Sequence, residues 1–291
     1  MILLTGATGT IGAPLLRRLS SRSEPVRCLV RDPRRLGDQR VRVQIALGDL
    51  ASPASFRNAL RGVDTVIHLA ASTRDQPLGS IEELNAVATL RLVRAAERAG
   101  ARRFVFLSAM GAGHHSRTRF FRAKALAREA VEASSLESFV FCPSIVYTPG
   151  DKWLTLLERF SWLPAVPMAG SGRSLYQPIW AEDVADCVLA ALEGVSPPAG
   201  FDLAGPETLS YDAIVGSVLR SLDRRRPLLH VPLPAVRASL RALERVVGPP
   251  VFATWEEAEL MEEPMLSSRG TADAESLGVI PLSMSAVLGA S

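Results

Sequence analysis

Cysteine is scarce in this sequence. The three present, Cys28, Cys142 and Cys187, show no spacing that would hold a metal. Two fall in apolar, strand-like runs and one in a helix-like run, the pattern of inert buried thiols, and a reducing cytoplasm fits them. No long apolar run is present, and the opening MILL is far too short for a signal peptide or a membrane span. Internal repeats, low-complexity tails, zinc fingers and RNA-binding signatures are all missing. The basic clusters, RDPRR at 31–35 and RRR at 224–226, are not interleaved with aromatics. The net charge of +3 therefore does not argue for a nucleic-acid partner, and 224–226 reads as solvated surface. Aromatics make up only 6% of the chain, yet Trp153, Phe160, Trp162, Tyr176 and Trp180 gather in its second half. They would line an apolar pocket for a small-molecule substrate, or simply pack. Nothing in the pattern specifies an oligomeric state.

What remains is an ordinary composition for a chain with a sizeable core, 47% apolar and 22% charged over 291 residues. Short apolar runs at 2–5, 26–30, 41–46, 64–70, 103–108 and 138–144 read as strands. Their runs of Val, Ile, Leu and Phe suggest burial on both faces, as in a parallel sheet. Helical patterns at 11–20, 53–60, 80–99 and 118–134 separate most of them. This alternation predicts an α/β fold, a doubly wound parallel sheet.

After residue 148 the pattern changes. A helix is expected from about 151 to Trp162, then a Pro- and Gly-rich loop, LPAVPMAGSGRS. LYQPIW suggests a short strand before a helix that Asp183 would cap, and GFDLAG at 200–205 suggests a strand returning to the main sheet. Arg237, Arg241 and Arg245 would stripe one face of an amphipathic helix, with Val236, Leu240, Leu243 and Val247 opposite. Residues 1–150, with 175–205 returning to them, are expected to form a Rossmann domain, and 151–291 a smaller, interleaved substrate lobe.

The first strand runs into TGATGTIGAPLLRRL, where Gly6, Gly9 and Gly12 stand three apart at a strand-to-helix turn. Glycine lets the backbone turn tightly and approach a pyrophosphate, whose charge then sits at the helix N-terminus. In that context the triplet predicts a dinucleotide site, with Gly6, Thr8, Gly9, Thr10, Ile11 and Gly12 as its loop. The second strand ends in Arg31, with Arg34 and Arg35 close behind. A guanidinium there favours the 2′-phosphate of NADP, while the neighbouring carboxylate of Asp32 is the feature that would favour NAD. Arg31 is the better placed, so NADP is expected over NAD.

The ordered set TGATGTIG, LVRDP, GDL, HLAA, FLSA, FxxxK, CPSIVYTPGD and QPIWAEDVA resembles the extended and atypical short-chain dehydrogenase/reductases. The likeness is closest to NmrA-like proteins and to the dehydrogenase-like accessory subunit of respiratory complex I. It covers residues 1–205 well and extends weakly to the end through EEPMLSSRGTADAESLGVIP. The resemblance implies that Asp49 and Leu50 flank an adenine and that Ala70 and Ala71 line the pyrophosphate and ribose path. It implies that Ser108 orients a substrate carbonyl, that Lys124 holds the nicotinamide ribose, and that Pro143, Ser144 and Ile145 close over the nicotinamide.

Three positions depart from the family pattern: Phe120 replaces its tyrosine, Cys142 an arginine common before the proline, and Trp180 a common histidine. Phe120 and Lys124 lie four apart and share a helix face. Phenylalanine has no proton to transfer, and losing one positioned acid or base typically costs about 10²–10⁴ in rate. Lys124, His114 and Tyr147 are the candidate substitutes, alongside transfer of hydride to a conjugated carbon. The expected function is an NADPH-dependent oxidoreductase without the usual tyrosine. The alternative is a non-catalytic dinucleotide-binding redox sensor or assembly protein, and an epimerase activity ranks below both.

Overall fold

A computed structural model describes residues 1–193, 200–247 and 253–289, with the side chains of 244–247 outside the described set. Seven strands form the main sheet: β1 (Ile2–Thr5), β2 (Val26–Val30), β3 (Gln44–Leu47), β4 (Thr65–His68), β5 (Arg103–Leu107), β6 (Glu137–Pro143) and β7 (Phe201–Leu203). Their order is β7-β6-β5-β4-β1-β2-β3. Every neighbouring pair is parallel. The chain therefore reverses its direction of travel across the sheet between β1 and β4, and a crevice opens at their carboxyl ends.

Helices cover both faces. On one side α1 (Gly12–Leu19) packs against the sheet; on the other lie α2 (Ala88–Arg98) and α3 (Arg119–Glu132). Downstream come α4 (Lys152–Phe160), α5 (Ala181–Leu192), which lies beside α1, α6 (Tyr211–Ser221), α7 (Leu233–Val247) and α8 (Trp255–Leu260). Strand alternation divides the core: Ile2 and Leu4 face α1 and α5, while Leu3 faces the layer of α2 and α3. Both layers bury their side chains fully, which explains the continuous apolar runs of β1, β4 and β5.

A third apolar cluster joins Ala109, Met110 and Phe121 to residues after 146. Tyr147, Tyr176, Ile214, Val215, Met265 and Met284 meet there beyond the ends of β5 and β6. Three small strand pairs frame it. Val146–Tyr147 runs parallel to Ile179–Trp180, Leu175–Tyr176 antiparallel to Leu209–Ser210, and Val166–Ala169 parallel to Leu228–Val231.

The structure corrects several sequence expectations. The third strand begins at Gln44 rather than Val41, because Asp32 caps a 3₁₀ segment over Pro33–Val41, and it is an exposed edge rather than a buried strand. The 80–99 helix opens with a π-turn at Glu83–Val87. The supposed loop LPAVPMAGSGRS contains the strand Val166–Ala169, whose Val166 and Met168 alternate inward despite Pro167. LYQPIW splits into two strands with different partners. Asp183 does not cap its helix. It lies inside the first turn and accepts a bond from the Leu282 amide at 2.9 Å, and burial raises its pKa to about 6.

Candidate functional site

The crevice widens into a groove of about 1650 Å³. Its floor is built by glycine. Gly6 has φ +74, and a Cβ there would stand 2.6 Å from the Ala70 amide nitrogen; a Cβ on Gly12 would stand 2.0 Å from the Gly6 carbonyl oxygen. The turn therefore closes only without side chains, which brings the backbone of β1, β4 and α1 together. No side chain caps the start of α1, so the positive end of its dipole is available to an anion. Thr8, Gly9, Thr10 and Ala13 line the groove here, while Ile11 turns into the core.

Arg31, Asp32 and Arg35 line the β2 end of the groove, together with Asp49 and Leu50. Arg34 clamps Asp32 with two side-chain bonds of 3.0 Å, which lowers the carboxyl pKa. Asp49 accepts from the Ala51 amide at 2.9 Å and so caps its own turn while facing the groove. Ala70 and Ala71 continue the wall.

The opposite end is closed. Lys124 is 2% exposed, and its Nζ donates to the Leu107 carbonyl at 2.6 Å. The ammonium lies 4.8 Å from the Phe106 ring centroid and 5.8 Å from that of Phe120. Burial pulls its pKa down from 10.5 to about 7. Lys124 and Lys152 are the only lysines among 33 basic residues, so the buried position keeps the less strongly forked cation. Ser108 is buried, and its hydroxyl has no hydrogen-bond partner among the described residues. Ser144 is fully engaged: its hydroxyl donates to the Met265 carbonyl at 2.8 Å and accepts from the Gln177 amide at 3.0 Å. Ile145 packs into the lobe cluster, as does Phe120. Pro143 ends β6. None of these closed-end residues is among those lining the groove.

His114 stands on the surface, 3.7 Å from Glu129 and away from the groove. Tyr147 is fully buried with an unpartnered hydroxyl, and burial beside Asp183 and Glu207 raises its pKa. Neither residue lines the groove. Of the aromatic residues of the second half, Trp153 lines the groove and donates to the Tyr211 hydroxyl, Tyr176 is buried and donates to the Met261 carbonyl, and Trp162 is exposed, stacked with Arg224.

Sequence reasoning missed two features. One is a buried polar chain beneath the groove. Thr89 gives its hydroxyl proton to the Asn85 carbonyl, so it accepts from His68 Nε2 at 3.0 Å, and His68 Nδ1 accepts from Thr5 at 2.7 Å. Asn85 in turn holds the Ser72 backbone through both amide atoms. Burial, with Lys124 near, pushes the His68 pKa down to about 3. The other is a strap. Thr254, Trp255, Glu256 and Glu257 line the groove opposite the loop 72–77. Glu257 bonds Thr73 at 2.8 Å and Arg74 at 2.9 Å, and Arg119 reaches Glu82, Asp75 and Glu256. The capping box Thr254-x-x-Glu257 was a legible helix start, but nothing local revealed its partners.

A family profile described as NAD(P)H-binding matches residues 6–194, more than half of the chain. The chain belongs to this NAD(P)H-binding family. It is 29% identical over 192 residues to the ceramide reductase of Caulobacter vibrioides, covering 65% of this chain and 60% of that protein. It is 27% identical over 251 residues to mitochondrial subunit 9 of the NADH dehydrogenase (ubiquinone) 1 alpha subcomplex of Arabidopsis thaliana, covering 80% and 60%. The chain thus spans 60% of the length of each of these relatives. A nucleoside-diphosphate-sugar epimerase from Staphylococcus aureus shares the fold, with a TM-score of 0.79 at 18% identity over 99% of both chains. In this NAD(P)H-binding chain, the cradle of Gly6 and Gly12 at the α1 terminus fits a pyrophosphate. Among the described residues, no helix is long and apolar enough to cross a membrane.

Proposed function

We propose that this protein is an NADPH-dependent oxidoreductase that acts on an apolar or aromatic small molecule without the usual tyrosine. Residues 1–150 and 175–205 would hold the dinucleotide, and the rest of 151–291 would meet the substrate. One observation carries the cofactor choice. Arg34 clamps Asp32, the carboxylate that would favour NAD, while Arg31 and Arg35 face the groove without an ion-pair partner among the described residues. Two open guanidinium groups suit a 2′-phosphate.

A reduced nicotinamide would supply hydride when bound. The residues near the closed end then have separable tasks. Ser108, with its free hydroxyl, orients the acceptor oxygen. Lys124 holds the ribose and, with a pKa near 7, shares its proton at neutral pH. Phe120 supplies an apolar wall where the family's phenol would stand. The likeness to ceramide reductase supports this reading.

A non-catalytic, NADPH-sensing or assembly role is the second reading. It is favoured by Phe120, by the burial of Lys124 outside the groove lining, and by the likeness to a complex I subunit. Calorimetry should give tighter binding of NADPH than NADH, and Arg31→Ala should weaken NADPH more than NADH. NADPH oxidation with quinones, enones and ketones should show turnover that Lys124→Ala abolishes, and Phe120→Tyr should raise ketone reduction. Intact NADPH binding with no turnover on any acceptor would transfer the weight to the second reading.

A further inference from the structure

Helices α7 and α8 line a second cavity of about 560 Å³, half open to solvent, beside the groove. Leu233, Val236 and Ala258 make it apolar, and Trp255 forms a wall shared with the groove. Its rim is basic. The guanidinium carbons of Arg237 and Arg241 lie 4.3 and 5.3 Å from the Trp255 ring centroid. These arginines stand four apart on α7, where like charges repel. Neither has a carboxylate partner among the described residues, although Glu259 lines the same cavity. Arg17, Arg18, Arg74, Arg103 and Arg119, by contrast, all meet carboxylates. The indole holds the two guanidinium groups by cation–π contact and leaves their N–H groups to bond an anion.

We infer that this cavity binds an anion carried on an apolar chain, of the fatty-acyl carboxylate class. The carboxylate sits between Arg237 and Arg241, and the chain lies along Leu233, Val236 and Trp255. The charge of the rim selects the head, and the lining selects the tail. A volume of about 560 Å³ is within the range of small-molecule sites. The inference does not depend on the protein being a reductase.

The test is calorimetric titration of monomeric laurate into the full chain saturated with NADP⁺, with dodecanol as the uncharged comparison. One laurate should bind per chain, at least about tenfold more tightly than dodecanol. Arg237→Gln/Arg241→Gln should weaken laurate by about tenfold or more while leaving dodecanol and NADPH affinities unchanged. Both side chains are exposed, so the variant should keep its fold, which circular dichroism checks. The inference is overturned if laurate does not bind, if the variant binds it equally well, or if dodecanol binds as tightly. It is also overturned if laurate binds the cofactor-free chain and not the NADP⁺-saturated one, which would put the anion at the glycine loop, or if heat appears only once laurate forms micelles.

Discussion

At the β2 end of the groove, Arg31, Arg35 and Asp32 meet solvent; at the other end, Lys124 and His68 are removed from it almost completely. The two ends use charge differently. Exposed guanidinium groups attract an anion at little desolvation cost. Buried groups lose hydration, so the same fold that shapes the site also pushes their pKa values down, Lys124 to about 7 and His68 to about 3. One end thus presents its charge to a ligand, and at the other burial works against charge. Between them lies a floor whose turn closes only because Gly6 and Gly12 carry no side chain.

That floor provides the largest expected effect. Gly12→Ala would drive a Cβ to within 2.0 Å of the Gly6 carbonyl oxygen. Either the turn opens or α1 shifts. NADPH binding should fall below calorimetric detection, and stability should drop by about 1–3 kcal/mol, as overpacking typically costs. Gly113→Ala meets nothing within 4 Å and should leave both unchanged. Equal behaviour of the two variants would mean that the cradle is not the binding floor.

Lys124→Met tests the buried end. The methionine keeps the length of the side chain and removes the charge, so NADPH affinity should fall about tenfold. Stability should respond in a way a surface lysine would not. The folded-state pKa of about 7 lies below the ordinary 10.5, so between these values the unfolded chain binds the extra proton. Wild-type stability relative to the variant should therefore rise as pH increases from about 7 to 10.5, by on the order of a few kcal/mol, and be flat below pH 7. Denaturant melts of both proteins across that range read the difference and cancel the other titrating groups. A constant difference would place Lys124 in water.

The two halves of the chain also differed in how much could be read before folding. The β1, β2, β4, β5 and β6 runs were legible because parallel strands buried on both faces must be apolar, and the Gly6–Gly12 spacing because a Cβ cannot fit there. Strand β3 was misplaced because an edge strand escapes that constraint: Leu47 is 64% exposed. The lobe was poorly legible. Its strands run two to four residues, too short for a period to emerge, and distant partners define them. The same holds for His68, which reads as one more residue of an apolar strand until Thr5 and Thr89 are brought to its two nitrogens. The Phe120 and Lys124 pairing was visible as an i, i+4 spacing, but the burial that shifts the lysine was not.

The smallest effect concerns the strap, where the two halves meet. Glu257 reaches Arg74 across 183 positions of sequence and also accepts from the Thr73 hydroxyl. The carboxylate and guanidinium are partly exposed, at 24% and 31%, so water screens the pair and its net contribution should be at most about 1 kcal/mol. Glu257→Gln keeps the size and the possibility of a neutral hydrogen bond, and it should leave global stability nearly unchanged. Its effect should instead be kinetic. Glu257 lines the groove with the glycine loop, so loosening the strap should speed NADPH release about two- to fivefold, consistent with a loss of that size. Stopped-flow displacement of NADPH reads this directly. Asp64→Asn, which breaks an exposed pair with Arg102 outside the groove lining, controls for charge loss alone. If both variants release NADPH at the wild-type rate, the strap is packing and not part of the site. If both accelerate it equally, the effect is long-range charge rather than the contact of Glu257 with Arg74.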